Sequence, residues 1–155
     1  MRIVSSLAVL AIGASVAVPS AARGQQAGEP IRYVGSSPNR ALADAVVVGN
    51  TIYLSGKLGT VPRQGMVEGG IEPETRQTME NIKSALEELG ATMDDVVKCT
   101  VFLADMAEWG QMNRVYTTFF PKHKPARSAV GVNGLALNAR VEIECMAVVG
   151  ARDAG

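Results

Sequence analysis

The sequence predicts an α+β fold in which two helices cover one face of a mixed sheet, in the order β-β-α-β-α-β-β. Three observations carry this. Two β-rich runs, residues 45–48 and 51–55, flank Gly49-Asn50, the two-residue signature of a tight hairpin. Two later stretches space their apolar residues by threes and fours, the repeat of a one-sided helix. Strand-like runs then alternate with those helices, so the chain must build one sheet and lay the helices against it.

The elements follow in order. After the hairpin, residues 56–71 carry Gly56, Gly59, Pro62, Gly65, Gly69 and Gly70, a density that reads as a loop. A helix is expected from about residue 74 to 89. It has Met79, Ile82, Ala85, Leu86 and Leu89 on one face, Pro73 in its first turn and Gly90 at its stop. Residues 96–103 alternate Val97, Cys99, Val101 and Leu103 against Lys98, Thr100 and Phe102, a strand. Asp105 with Glu108 reads as an N-cap and its acidic third-position partner. The helix behind that cap carries Met106, Trp109, Met112, Tyr116 and Phe119 toward the core and closes at Pro121. Two strands follow, residues 126–132 and 140–149. Several strands are apolar on both faces, as in Val46-Val47-Val48 and in Ile143 and Cys145 against Met146 and Val148. Helices on one side leave the other apolar face uncovered, which implies association of copies.

The 155 residues suit one domain, residues 31–150. Residues 1–22 read as a signal peptide: Arg2 opens it, Ile3 to Val18 is apolar or small, and Ser20-Ala21-Ala22 offers a cleavage site. The run is short for a membrane span, so a retained anchor is disfavoured and no membrane association is expected after cleavage. Residues 23–30 read as a flexible leader and 151–155 as a tail. The chain is therefore expected to be exported, periplasmic or secreted. Fifteen basic and fifteen acidic residues leave no net charge, which argues against a nucleic-acid partner. Cys99 and Cys145 lie in strand-like runs. A bridge between them is conceivable if those strands are neighbours, but two small buried hydrophobes is the favoured reading. Nothing has metal-ligand spacing, and the single histidine, His123, between two lysines, reads as solvated.

No nucleophile elbow, phosphate loop or zinc-protease motif is present. What remains are polar residues set against apolar strands. Arg127, in Pro125-Ala126-Arg127-Ser128, is either a snorkelling surface side chain or a planar fork for a ligand carboxylate. Glu142 and Glu144 share one strand face. They are either a solvated edge or a source of one carboxylate placed beside Arg127 to orient water or carry a proton. Ser55-Gly56 ends a strand where a ligand can approach the backbone, although it also suits an ordinary turn. Asn113 lies mid-helix among apolar neighbours, where it suits a bond to a loop backbone.

Together these segments resemble the reactive intermediate deaminase (RidA/YjgF) family over roughly residues 38–149. The resemblance runs through Val48-Gly49-Asn50-Thr51-Ile52-Tyr53-Leu54-Ser55-Gly56, then Thr75-Arg76-Gln77-Thr78-Met79-Glu80-Asn81-Ile82. It continues in Val97-Lys98-Cys99-Thr100-Val101-Phe102-Leu103 and Asn113-Arg114-Val115-Tyr116. It ends in Pro125-Ala126-Arg127-Ser128-Ala129-Val130 and Val141-Glu142-Ile143-Glu144. It implies a chorismate-mutase-like fold, a homotrimer with clefts between subunits, and hydrolysis of enamine and imine acids such as 2-aminoacrylate to 2-keto acids and ammonia. No metal or organic cofactor is implied. By position, Arg127 would hold the substrate carboxylate, helped by the Ala129 amide. Ser55 and Gly56 would line the cleft, Asn113 would match the family's helix Asn, and Glu142 would direct the water. Leu42 stands where many members carry Tyr, and Ala129 where many carry Cys. A non-catalytic binder of small acids, or a chaperone-like surface, is the alternative on the same scaffold. An RNA-cleaving role, attributed to some relatives, is opposed by the balanced charge.

Overall fold

The structure is a computed structural model that describes residues 29–150. The expected signal peptide, the leader up to residue 28 and the tail 151–155 lie outside the described residues. The elements are β1 (Ile31–Val34), β2 (Ala45–Val48), β3 (Thr51–Leu54), β4 (Lys57–Leu58), β5 (Thr60–Val61), β6 (Gly65–Met66), α1 (Ile71–Glu88), β7 (Val96–Leu103), α2 (Trp109–Tyr116), β8 (Ala126–Gly131) and β9 (Val141–Val148). Seven strands form one sheet in the order β1-β2-β3-β9-β7-β8, with β4 also paired to β9. All pairs are antiparallel except β7 with β8, which α2 joins as a crossover, so the predicted mixed sheet with two helices is what forms.

Several elements differ from expectation. β1 was not predicted: it has four residues, one of them charged, and its alternation is too brief to register. The stretch read as a loop contains β4 and the small β5–β6 hairpin. The turn between β5 and β6 is made by Pro62, Arg63 and Gln64, with Arg63 at a φ of 66°. Gln64 N–H closes the hairpin turn onto Val61 O at 3.0 Å. α1 starts three residues early, at Ile71. The second helix is a single turn (Met106–Glu108), then α2, then another turn (Thr117–Phe119). Asp105 caps it as expected, accepting from Ala107 N–H at 2.8 Å. Glu108 does not close the box; it pairs with Arg140 instead.

Cross-strand partners share a face of a sheet, which makes the register decisive. On the covered face lie Ile52, Leu54, Val101, Leu103, Val141, Ile143 and Ala147. All are buried with Met79, Ile82 and Leu86 of α1 and Met112 of α2. Each fully buried side chain of this size contributes roughly 1.5–3 kcal/mol relative to exposure. A bulge between Val96 and Lys98 shifts the start of β7, so Val96 faces inward and Val97, expected inward, is exposed. Trp109 and Met106 also depart from the expected core: they are 38% and 47% exposed. The opposite face carries Tyr33, Val46, Tyr53, Met146, Thr100, Glu142, Glu144, Ser128 and Val130, and no helix covers it.

Cys99 and Cys145 are direct antiparallel partners and form a disulfide, with Cα atoms 4.1 Å apart. The favoured reading of two free buried thiols is therefore corrected. Alternation showed both cysteines facing one way, but only the β7–β9 register sets them opposite each other.

Candidate functional site

β8 carries Arg127 and Ala129 on the covered face, because Arg127 is the partner of Cys99 and Ala129 that of Val101. α2, delivered over β8 by the crossover, places two rings on the arginine. The guanidinium carbon lies 4.6 Å from the Tyr116 ring centroid and 5.6 Å from that of Trp109, both within cation–π range. Asn113 lies between them in sequence, four residues after Trp109 and three before Tyr116, and so on the same helix side. Rings over the guanidinium leave its N–H edge open. Among the described residues, no carboxylate or carbonyl takes that edge. Arg127 is therefore half-buried with an unused planar fork.

Tyr116 sharpens the picture. Its ring is buried and its hydroxyl has no hydrogen-bond partner among the described residues. Burial pushes the phenol up to about 12, with the positive charge of Arg127 acting in the opposite direction. The hydroxyl stays protonated at neutral pH and keeps a donor beside the cation.

The other predicted residues assemble elsewhere. Ser55 Oγ donates to Ala43 O at 2.7 Å, tying the end of β3 to the segment that carries Leu42. Gly56 follows, and a β-carbon added there would fall 2.0 Å from Glu142 Oε1. The Glu142 carboxylate therefore covers this glycine, and no other residue fits without displacing it. Glu142 is held by β9, whose start is pinned by a residue that sequence reasoning missed. Glu74, buried in the first turn of α1, accepts from Arg140 N–H at 2.6 Å and Val141 N–H at 3.1 Å. Its sequence signal is an acid at the start of a helix face that goes on to Met79, Ile82 and Leu86 and also buries Thr75 and Thr78.

These two groups do not meet. Glu142 pairs with Phe102, and Phe102 with Val130, so Glu142 lies on the open face. Arg127, with Cys99, lies on the covered face. The expectation that Glu142 points beside Arg127 fails within one chain because the sheet stands between them. Ser55, Gly56 and Glu142 form one half-site, and Asn113, Arg127 and Ala129 form another. Leu42, 57% exposed, directly precedes Ala43, whose carbonyl Ser55 holds. A cavity of about 510 Å³ between α1 and the β5–β6 hairpin, lined by Lys57, Val61, Arg63, Asn81, Ser84 and Ala85, contains none of these six residues. Size alone does not make it the site. The Arg127 fork has the specific chemistry and the cavity does not. His123 is exposed. No group of three or more His, Cys, Asp or Glu among the described residues is arranged to hold a metal ion.

Comparison with known proteins now bears on this geometry. Residues 36–149 match the family model described as Endoribonuclease L-PSP. The chain is 41% identical over 111 residues to the 2-iminobutanoate/2-iminopropanoate deaminase of Rattus norvegicus, covering 71% of this chain and 81% of that one. Among solved structures, RidA from an Antarctic Psychrobacter superposes with a TM-score of 0.68 at 35% identity, covering 73% of this chain and 92% of that one. E. coli TdcF, solved with bound serine, gives a TM-score of 0.67 at 29% identity, covering 76% and 93%.

Proposed function

The chain belongs to the RidA/YjgF family, whose family model is described as Endoribonuclease L-PSP, and from that premise we propose that it hydrolyses small enamine and imine acids to 2-keto acids and ammonia. The observation that carries this is the Arg127 guanidinium, flanked by Tyr116 and Trp109 with its N–H edge unused. That edge matches a carboxylate in two parallel hydrogen bonds. The name of the rat relative supplies the reaction class, and the serine bound by TdcF shows that a solved relative takes a small amino acid.

The reaction asks little of the protein. A protonated imine is already electrophilic at C2. Arg127 holds the carboxylate, and the Ala129 amide and Asn113 complete its surroundings. Glu142 orients a water and accepts one of its protons as oxygen attacks C2. The proton passes to nitrogen, and as the C–N bond breaks the carbinolamine hydroxyl gives its proton back to the Glu142 carboxylate, so that ammonia leaves and the 2-keto acid remains. No organic cofactor takes part in this scheme.

Because one chain holds the two half-sites on opposite faces, the complete site needs two copies. We assign the family's homotrimer, each cleft joining the Arg127 half of one subunit to the Glu142 half of its neighbour. The uncovered face, with Tyr33 and Tyr53 62% and 43% exposed, supports association through that face. Export is part of the same proposal, supported by the buried disulfide, since such bonds persist in oxidising compartments.

A second reading, a binder of small acids without turnover, is favoured by Leu42, which brings no hydroxyl to the Ser55 side. The test is ammonia release from 2-aminoacrylate. Arg127→Ala should lower kcat/KM by about 100-fold or more, since two charge-assisted bonds are lost. Its sedimentation should match that of the parent. An unchanged rate in Arg127→Ala sinks the assignment. Calorimetric binding of 2-keto acids with no ammonia release by the parent chain selects the binder.

A further inference from the structure

Two large apolar side chains beside the Arg127 half-site, three residues apart in the chain, have exposed surface that the core does not explain. Trp109 both touches the guanidinium, at 5.6 Å, and is 38% exposed. Met106, three residues earlier, is 47% exposed. Val130 is also exposed but faces the other side of the sheet. Below Trp109 and Met106 runs the covered face of β8, where side chains shrink stepwise from Arg127 to Ala129 to Gly131. A β-carbon at Gly131 would come within 2.8 Å of Met106 Cγ, so Met106 lies directly over bare backbone. The result is a short shelf with the arginine fork at one end, Ala129 as its floor, and an apolar wall that runs from Trp109 to Met106, which covers Gly131.

We infer that this shelf receives the substrate's side chain, and that the site takes 2-imino and 2-keto acids with an extended apolar side chain in preference to the methyl-bearing ones. The inference rests on the reading that Arg127 holds the carboxylate. A carboxylate lying in the plane of the fork meets the Trp109 ring as its first apolar neighbour, because that ring borders the guanidinium and is open to solvent. A one-carbon side chain leaves Met106 uncovered, whereas a four-carbon branched chain reaches over Ala129 to the Met106 side chain. Trp109 and Met106 thus act as specificity determinants, separate from the groups that handle water.

The chain carries its own reporter, since Trp109 is its single tryptophan. Intrinsic fluorescence of the full chain is titrated with 4-methyl-2-oxopentanoate and with pyruvate. The branched acid should saturate at an about tenfold lower concentration, the effect of three further carbons on a half-open apolar surface. Met106→Ala should reduce that ratio to about threefold or less while pyruvate affinity stays within about twofold, a split that general loosening does not produce. Trp109→Ala, followed by calorimetry, should abolish the ratio. Arg127→Ala should lose both acids. Equal or tighter binding of pyruvate overturns the inference. So does a ratio that survives both wall variants, or branched-acid binding that persists in Arg127→Ala. Ammonia release from the corresponding imines is scored separately. Selective binding without turnover upholds the shelf and sinks the deaminase, and turnover without selectivity does the reverse.

Discussion

The covered and open faces of this sheet are built from the same strands, yet the chemistry they present differs. The covered face holds a close-packed apolar core, a disulfide and one cation flanked by aromatic rings. The open face holds tyrosines, valines, two glutamates and Lys98, whose ammonium reaches Ser128 Oγ at 3.0 Å. Both are needed for a site of the proposed kind, and a pleated strand sends neighbouring residues to opposite sides. One chain can therefore hold all the required groups without bringing them together. In this protein the covered face makes the fold, and in the proposed assembly the open face meets another copy.

The largest effect that tests this contrast concerns the disulfide. Replacing Cys99 and Cys145 together with Ala should destabilise the chain by about 4 kcal/mol, the loop entropy that a 46-residue separation restores to the unfolded state. Urea titration of the two proteins measures it. A loss below about 1 kcal/mol would mean that the core holds β7 to β9 without the bridge. Next comes a paired comparison of faces. Leu86→Ala, in the core, should cost about 3 kcal/mol in the same titration. Tyr53→Ser, on the open face, should leave a single chain's stability within about 0.5 kcal/mol but lower the sedimenting mass. Equal destabilisation with no change in mass would erase the distinction between the faces.

The smallest effect lies at high pH. The Tyr116 phenol is raised in the folded chain, from 10 to about 12, so the folded state holds that proton more tightly than the unfolded chain. Its contribution is fully present below pH 10 and is lost as pH rises from 10 toward 12. Denaturant midpoints measured across that range should fall more steeply for the parent than for Tyr116→Phe.

Much of this was legible in the sequence, for reasons that also mark where legibility stopped. The two helices, the Gly49-Asn50 hairpin, β7, β8 and β9 follow from periodicities that span several turns or alternations. β1 and the β4 to β6 pieces are too short for a period to register, and the glycine density of residues 56–71 reads as loop while hiding the strands, one of which holds Gly65 itself. Alternation placed Glu142 with Glu144 and Cys99 with Val101 within a strand. It does not say which residue of one strand stands opposite which residue of another. That missing register is why the disulfide was not favoured and why Glu142 was expected beside Arg127. Val97 failed for a related reason, since a bulge adds one residue and turns the alternation over. Trp109 and Met106 fitted a helical stripe, yet that stripe extends past the edge of the sheet they were expected to cover.

The separation of Arg127 from Glu142 by the thickness of a sheet has a genetic consequence. Where each cleft draws its two halves from different subunits, a gene copy damaged at Arg127 and another damaged at Glu142 encode complementary defects. Some clefts of a mixed assembly then receive both intact halves, so two inactive alleles restore one another in the same cell. A protein whose whole site lay on one chain would offer no such rescue.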